Sequence, residues 1–509
     1  MSAAPAPLHI VIVGGGTAGW MAANLMARRW GDGRARITVI ESPDIGIIGV
    51  GEGSTPSLRR FFRQIGVAEA DWMPACNATY KLNIRFEGWS PESGVAAYSH
   101  PFFAKLDSLN EQAFYVNCRT RRLGLDVTTL PDRFHINGVL AAQGKGPLNA
   151  PNFPFNIEYG YHFDSALLGQ YLATLAVSRG VERVQAHIRG AQLTAQGDIA
   201  AVLGDDGLHI AGDLFIDCTG FQSLLMQQQL DVPFKSFASN LFNDAAVVIA
   251  TPTPARPALP VQTVSRALSA GWSWHIPLTS RMGNGYVYSS QSLSADGAEA
   301  ELRASLGLPD GEGQARHLKM KVGQLARHWH RNCLALGLSQ GFIEPLEATA
   351  LHLVQSAIES FMVCFEQGQF TAMHQQRFND DIVERFERVR DYIVAHYKLN
   401  TRTDSDYWRA NRDNAQLSDA LGTVLQAWFD REDISGAIHR TQGHSHFGVM
   451  SWHCLLAGYG AFPPIAPEQP GKGDLYLEEG IEQFLSACAL NFGSHDDCLT
   501  GAWPPAASQ

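Results

Sequence analysis

A chain of 509 residues is long enough to bury a large core, and its length allows two or three domains. With 45% apolar and 17% charged residues it reads as a folded globular protein, which excludes a disordered or fibrous one. A formal net charge of -11 argues against nucleic acid or an anionic membrane as the main partner and favours a small, weakly charged substrate.

The opening MSAAPAPLHI has neither the basic nor the long apolar stretch of a secretory signal. No later segment reaches the roughly eighteen apolar residues of a membrane span, so a cytoplasmic protein is expected. His9–Val13 reads as a short apolar strand, Gly14–Gly19 as a turn and Trp20–Trp30 as a helix, with Arg36–Ile40 a second strand ending at Glu41. A helix is predicted from about Asp164 to Arg179, and DLFIDCTGFQSLL predicts a buried strand meeting glycine. Pro/Gly-rich breaks at Thr251–Pro260 and Tyr459–Gly473 predict long surface connections. Between them YVYSSQSL predicts a strand, and Thr349–Gly368 and Met373–Lys398 predict helices. The fold class is α/β with a helical carboxy-terminal part. The eight cysteines are scattered without a CxxC pair and read as reduced and mostly buried.

Gly14, Gly16 and Gly19 form GxGxxG between strand and helix, enclosing Thr17 and Ala18, with Glu41 lying 41 − 19 = 22 residues further on. Such glycines let the backbone approach a pyrophosphate at a helix N-terminus, and the acid accepts a ribose hydroxyl. Two later stretches select FAD over a nicotinamide cofactor. DLFIDCTGF (213–221) resembles the later strand of FAD-binding oxidoreductases, which brings Asp217 and Gly220 toward a ribityl chain. NCLALG (332–337) resembles their last flavin-proximal strand, ending at Gly337. No second GxGxxG follows a strand, so reducing equivalents are expected as FADH2 from a separate flavin reductase.

Three motifs then occur in order: GGGTAGW (14–20), GWSWHIP (271–277), which contains WxWxIP, and FIEPLEATA (342–350). YKLNIRFEGW (80–89), YGYHFD (159–164) and SWHCLLAGYG (451–460) accompany them. In these the chain resembles the flavin-dependent tryptophan and indole halogenases. The resemblance implies a Rossmann-like flavoprotein monooxygenase fold. Residues 1–380 would form the FAD-binding core, with substrate-side insertions around 75–160, and 381–509 a mainly helical region completing the substrate pocket. It also implies an activity: reduced FAD and O2 oxidise bromide or chloride, by way of a flavin hydroperoxide and hypohalous acid, and an indole-like ring is halogenated.

Single residues follow from the same resemblance. Trp272 and Trp274 are two apart on a predicted strand and so share a face. Alone they could be a core contact; with Ile276 and Pro277 the resemblance makes them a wall between flavin and substrate. Lys81, by local sequence an ordinary surface charge, matches the family's active-site lysine, which holds hypohalous acid or carries the halogen as a haloamine. Glu344 and Glu347 both enter a predicted helix and could serve its dipole; Glu347 matches the catalytic glutamate that acts with Lys81. The amides of Thr349 and Ala350 match the halide position, although Ala348 stands where a serine is common and Ala350 where a glycine or serine is. Gly49, Val50 and Gly51, within GVGEGSTP, resemble a strap contacting flavin, and their glycines also fit an ordinary loop. His100, Phe102, Phe103 and Trp452 are candidates for the substrate pocket or for aromatic core packing. His444 and His446 form an HxH pair without a third ligand at metal-site spacing, so no metal is expected.

A flavin-dependent aromatic hydroxylase and a flavin-binding protein without turnover stay open as alternatives, and a homodimer is allowed. No carboxylate and ammonium clamp for free tryptophan is placed by the sequence, so simple indoles are expected at least as readily as tryptophan, and bromide at least as readily as chloride.

Overall fold

The computed structural model describes residues 7–44, 46, 51–253, 259–309, 311–441, 446–467 and 475–503. They divide into two compact units, each drawn from three separated segments. The first takes Met1–Asn77, Phe163–Ala238 and Met320–Glu387; the second takes Ala78–His162, Ser239–Lys319 and Arg388–Gln509.

The first unit is built on a six-stranded sheet with the order Trp329–His330, Cys333–Ala335, Leu214–Asp217, Leu8–Val13, Ala35–Glu41, Glu182–Gln185. All neighbours are parallel except the first pair, a short hairpin. LHIVIV and LFID are nearly continuous apolar runs, as a parallel sheet covered on both faces requires. Val11, Val13, Ile40, Phe215, Cys333 and Ala335 join one buried cluster. The register sets Val13 beside both Asp217 and Ile40, and Asp217 beside Ala335, so these strands end along one edge. The helix expected from Trp20 begins earlier, spanning Thr17–Trp30, because extended Gly16 already serves as its N-cap. Asp164 caps the helix Ser165–Ser178, its carboxylate accepting from the amides of Ala166 and Leu167 at 3.0 and 3.2 Å.

The second unit centres on a seven-stranded sheet: Ala315–Lys319, Ala245–Thr251, Met282–Tyr288, Gly271–Pro277, Thr263–Leu268, Asn83–Ser90, Val95–Pro101. Only Thr263–Leu268 and Asn83–Ser90 pair in parallel. The strand expected over YVYSSQSL runs instead from Met282 to Tyr288. Its serines turn the chain, the amides of Ser292 and Leu293 both donating to the Ser289 carbonyl, and Ser294 caps the helix Ala295–Leu306. The carboxy-terminal part is helical as expected, with helices at Asp406–Asp413, Asp419–Phe429, Ile434–Thr441, Val449–Gly458, Leu475–Ala489 and His495–Thr500. The two expected surface breaks fall partly outside the described residues, at 254–258 and 468–473. All eight thiols are free, and seven of them are buried. No helix among the described residues is long and apolar enough to cross a membrane.

Candidate active site

In the first unit, the shared strand edge gathers the three glycine-bearing stretches. Cys218 donates its amide to Val13, Leu336 donates to Asp217, and Gly14 donates to Ile40, at 2.8 to 2.9 Å. Gly14 holds a φ of +116°, and a Cβ on Gly19 would lie 2.1 Å from the Gly14 carbonyl oxygen. These two positions therefore admit no side chain. A Cβ on Gly15 would lie 2.2 Å from Glu41 Oε2, so the carboxylate lies directly over the turn. Gly15, a fourth glycine outside the GxGxxG positions, is what brings turn and acid together. Glu41 is oriented by Arg183, whose Nε donates to Oε1 at 2.6 Å. A Cβ on Gly16 would meet nothing within 4 Å, and no side chain caps the 14-residue helix that follows. An open glycine at an uncapped helix start is the cradle a pyrophosphate needs, so the residues present fit a dinucleotide cofactor.

Asp217 stands at the end of its strand, as the sequence reading set it. Fully buried, its carboxylate accepts from the Thr219 amide and hydroxyl, the Leu225 and Met226 amides and the Ser339 hydroxyl, at 2.7 to 3.0 Å. These bonds tie it to its own loop and to Ser339, at the turn leading to Gly220. Gly220 is left-handed at φ +70° with open space at its Cβ position. Gly337, at φ +65°, leaves room for Ala18, whose Cβ would lie 2.8 Å from an added methyl. Gly51 is left-handed at φ +87°, while Gly49 and Val50 lie outside the described residues.

Glu344 precedes and Glu347 ends a single turn, Pro345–Glu347, and both are buried. Ala348 then adopts φ +55°, ψ +33°, a left-handed conformation that costs a non-glycine residue roughly 1 kcal/mol or more. The chain there enters the 18-residue helix Ala350–Gln367, whose N-terminus no side chain caps. Thr349 is buried, and its hydroxyl has no hydrogen-bond partner among the described residues. Uncapped amides at the start of a long helix, beside an unsatisfied hydroxyl, suit a small anion.

In the second unit Lys81 ends the strand Thr79–Lys81, whose partner is Gly160–Phe163, with Lys81 opposite Gly160. Its side chain is 0% exposed, which excludes the ordinary surface-charge reading. The Nζ lies 5.5 Å from the centre of the Phe102 ring. Thr79 donates its one hydroxyl proton to the Pro277 carbonyl at 2.7 Å, so His162 must donate from Nδ1 to Thr79 and accept from Thr263 at Nε2. That neutral form is enforced by burial and by the positive charge of Lys81, which together hold His162 well below its usual pKa. The lysine strand is thus fastened to the end of the tryptophan strand.

Trp272 and Trp274 share one face of the strand Gly271–Pro277, their ring centres 6.0 Å apart, and both are buried, as are Ile276 and Pro277. Gly285, paired with Trp274, makes room for it: a Cβ there would meet the indole at 2.2 Å. The indole N–H of Trp274 has no hydrogen-bond partner among the described residues.

His100, Phe103 and Trp452 prove to belong to one aromatic cluster, through two residues the sequence reading missed. Tyr392 stacks on Phe447 at 3.7 Å, meets Trp452 edge-on at 5.0 Å and lies 5.8 Å from His100, which lies 5.9 Å from Phe103. No local signal marks Tyr392, which sits within the helix Gln375–Lys398. His446 is exposed, and His444 lies outside the described residues.

Residues 9–469 match the family model described as tryptophan halogenase. The 7-chloro-L-tryptophan 6-halogenase of a Kutzneria species is 35% identical over 480 residues, 89% of this chain and 90% of that protein. The crystal structure of a tryptophan 6-halogenase from Streptomyces toxytricini superposes with a TM-score of 0.83 at 30% identity, covering 97% of this chain and 99% of that one. A flavin-dependent halogenase from a Brevundimonas species superposes equally well, at 0.83 and 32% identity, covering 98% and 100%.

Proposed function

The chain belongs to the tryptophan halogenase family, and on that premise we propose how its residues divide the halogenation of an indole-like ring. Gly14, Gly16, Thr17, Ala18 and Gly19 hold the FAD pyrophosphate, Glu41 its ribose, and Gly51, Gly220 and Gly337 the approach to the ring, with Gly49 and Val50 completing the strap. Asp217 positions the Gly220 turn. Once bound, reduced FAD with O2 supplies the oxidising equivalents that convert halide to hypohalous acid. With GxGxxG present once, reduced flavin comes from a separate reductase.

The amides of Thr349 and Ala350 hold the halide. Trp272 and Trp274, with Ile276 and Pro277, shape a barrier that only a small oxidant passes. Lys81 receives the hypohalous acid, either donating a hydrogen bond from Nζ or, as the neutral amine, taking the halogen: the N–halogen bond forms as the halogen–oxygen bond breaks and water leaves. The halogen then adds to a carbon of the substrate ring, which His100, Phe102, Phe103 and Trp452 present, and Glu347 takes the proton released as aromaticity returns.

The observation that carries this reading is the complete burial of Lys81 beside Phe102. An ammonium out of contact with water costs several kcal/mol and is retained where it has a task. Lys81→Ala should abolish halogenated product while FADH2 oxidation continues. Retention of more than about a tenth of the halogenating activity, a loss of only ~1.4 kcal/mol in barrier, would overturn the assignment.

A further inference from the structure

Asn137 is the second residue of the short helix Ile136–Ala142 and is fully buried. Its backbone is held independently of its side chain: the amide of Ile136 donates to Asp107 at 2.9 Å, and Asn83 donates from its carboxamide to the Asn137 carbonyl at 3.4 Å. From that fixed point the Asn137 amino group donates to three carbonyls, Leu82 at 2.9 Å, Phe102 at 3.0 Å and Glu158 at 2.9 Å. An amide has two protons, so one is shared; without this side chain the buried Leu82 carbonyl would lose this donor, as would the partly buried hydrogen-bonding positions at the Phe102 and Glu158 carbonyls.

The three carbonyls are not scattered. Leu82 follows Lys81 directly, Phe102 carries the ring 5.5 Å from the Lys81 Nζ, and Glu158 lies two residues before Gly160, the cross-strand partner of Lys81. Phe102 in turn donates its amide to the Leu82 carbonyl at 3.3 Å. One carboxamide thus ties together the segment that bears the lysine, the segment that bears its aromatic neighbour, and the approach to the strand opposite.

We propose that Asn137 is a positioning residue for halogen transfer, holding the frame that aims Lys81 at the substrate. The proposal rests on the role given to Lys81 above. Because a misplacement of about 1 Å can cost about a hundredfold in rate, loosening the frame should impair transfer far more than the preceding oxidation.

The test uses the full-length enzyme with FAD, a flavin reductase, bromide and indole. It follows haloindole formed, FADH2 oxidised, and hypobromous acid captured by a chromogenic trap. Asn137→Ala should lower haloindole per FADH2 oxidised by about tenfold or more and raise trapped hypobromous acid to match, with flavin oxidation nearly unchanged. Asn137→Gln, which keeps the donors on a longer arm, should recover part of the yield. Wild-type yield in Asn137→Ala overturns the proposal. So does a parallel loss of flavin oxidation and product in both variants, which would make Asn137 a folding residue. Should Lys81→Met still halogenate, the reading of Lys81 fails; should Lys81→Met be inactive and Asn137→Ala normal, only the role of Asn137 fails.

Discussion

Gly15→Ala is the sharpest perturbation of the proposed cofactor site, because the structure says what the methyl would meet. Its carbon would lie 2.2 Å from Glu41 Oε2 and 2.4 Å from Glu41 Cβ, whereas carbon atoms in contact sit about 3.5 to 4 Å apart. Rotating the glutamate relieves the first overlap but not the second, since Cβ is one bond from the backbone. Strand end or turn must therefore shift by about 1 Å, although the Gly14–Ile40 and Glu41–Arg183 hydrogen bonds pin both. Overpacking of this kind costs about 1 to 3 kcal/mol of stability. Displacing a charged hydrogen-bond acceptor from the ribose costs about 1.5 to 3 kcal/mol more in binding, roughly a 10- to 100-fold loss of FAD affinity. Calorimetric titration with oxidised FAD, beside thermal melts, reads both quantities. Gly16→Ala is the contrast: its methyl meets nothing within 4 Å, so it should melt like wild type yet bind FAD weakly where the pyrophosphate rests. If Gly15→Ala kept its melting temperature and bound FAD within about threefold of wild type, a difference of only ~0.65 kcal/mol, the geometric argument would be refuted.

Glu347→Gln should slow haloindole formation by about a hundredfold or more while FADH2 oxidation persists, since glutamine keeps the shape and loses the base; equality with wild type would move the role to Glu344. Stability should fall on the acid side. Burial depresses His328 to about 3 and His453 to about 4, and lowers His135 and His162 as well. Above the ordinary pKa of 6.5 neither state takes the proton, but below it the unfolded chain binds protons that the folded chain refuses. Each histidine then removes ~1.4 kcal/mol per pH unit until its folded pKa is reached. Denaturant melts from pH 7.5 to 4.5 should show this slope, reduced by about one proton in His453→Gln; an unchanged slope in that variant would refute the assignment.

The βαβ opening, its glycines and Glu41 were legible because they are local: the strand, the tight turn and the helix each follow from neighbouring residues. Trp272 and Trp274 were legible in their shared face, which the two-residue period of a strand dictates. Neither reading shows what makes room for them. Gly285 supplies the space for Trp274 from a neighbouring strand, and Gly15 the space for Glu41.

Burial, by contrast, is a property of the assembled chain. Nothing in Tyr80-Lys81-Leu82 says whether the ammonium reaches water. Strand pairing with Gly160, the Thr79–Pro277 bond and the Asn137 clamp decide that, all made by residues distant in sequence. Ala348 carries no mark of a positive φ, because alanine has no local preference for it; the turn that brings Glu347 and Thr349 to one helix entrance imposes it. Asp217 was recognisable as a strand-end acid, yet only folding showed that five donors from its own loop and from Ser339 consume its carboxylate. The amino-acid order alone determined which short stretches could turn, cap or alternate. Which distant stretches met, and hence which charges lost water and which rings shared a cluster, was decided by tertiary packing, because desolvation depends on every neighbour in space and sequence supplies only those along the chain.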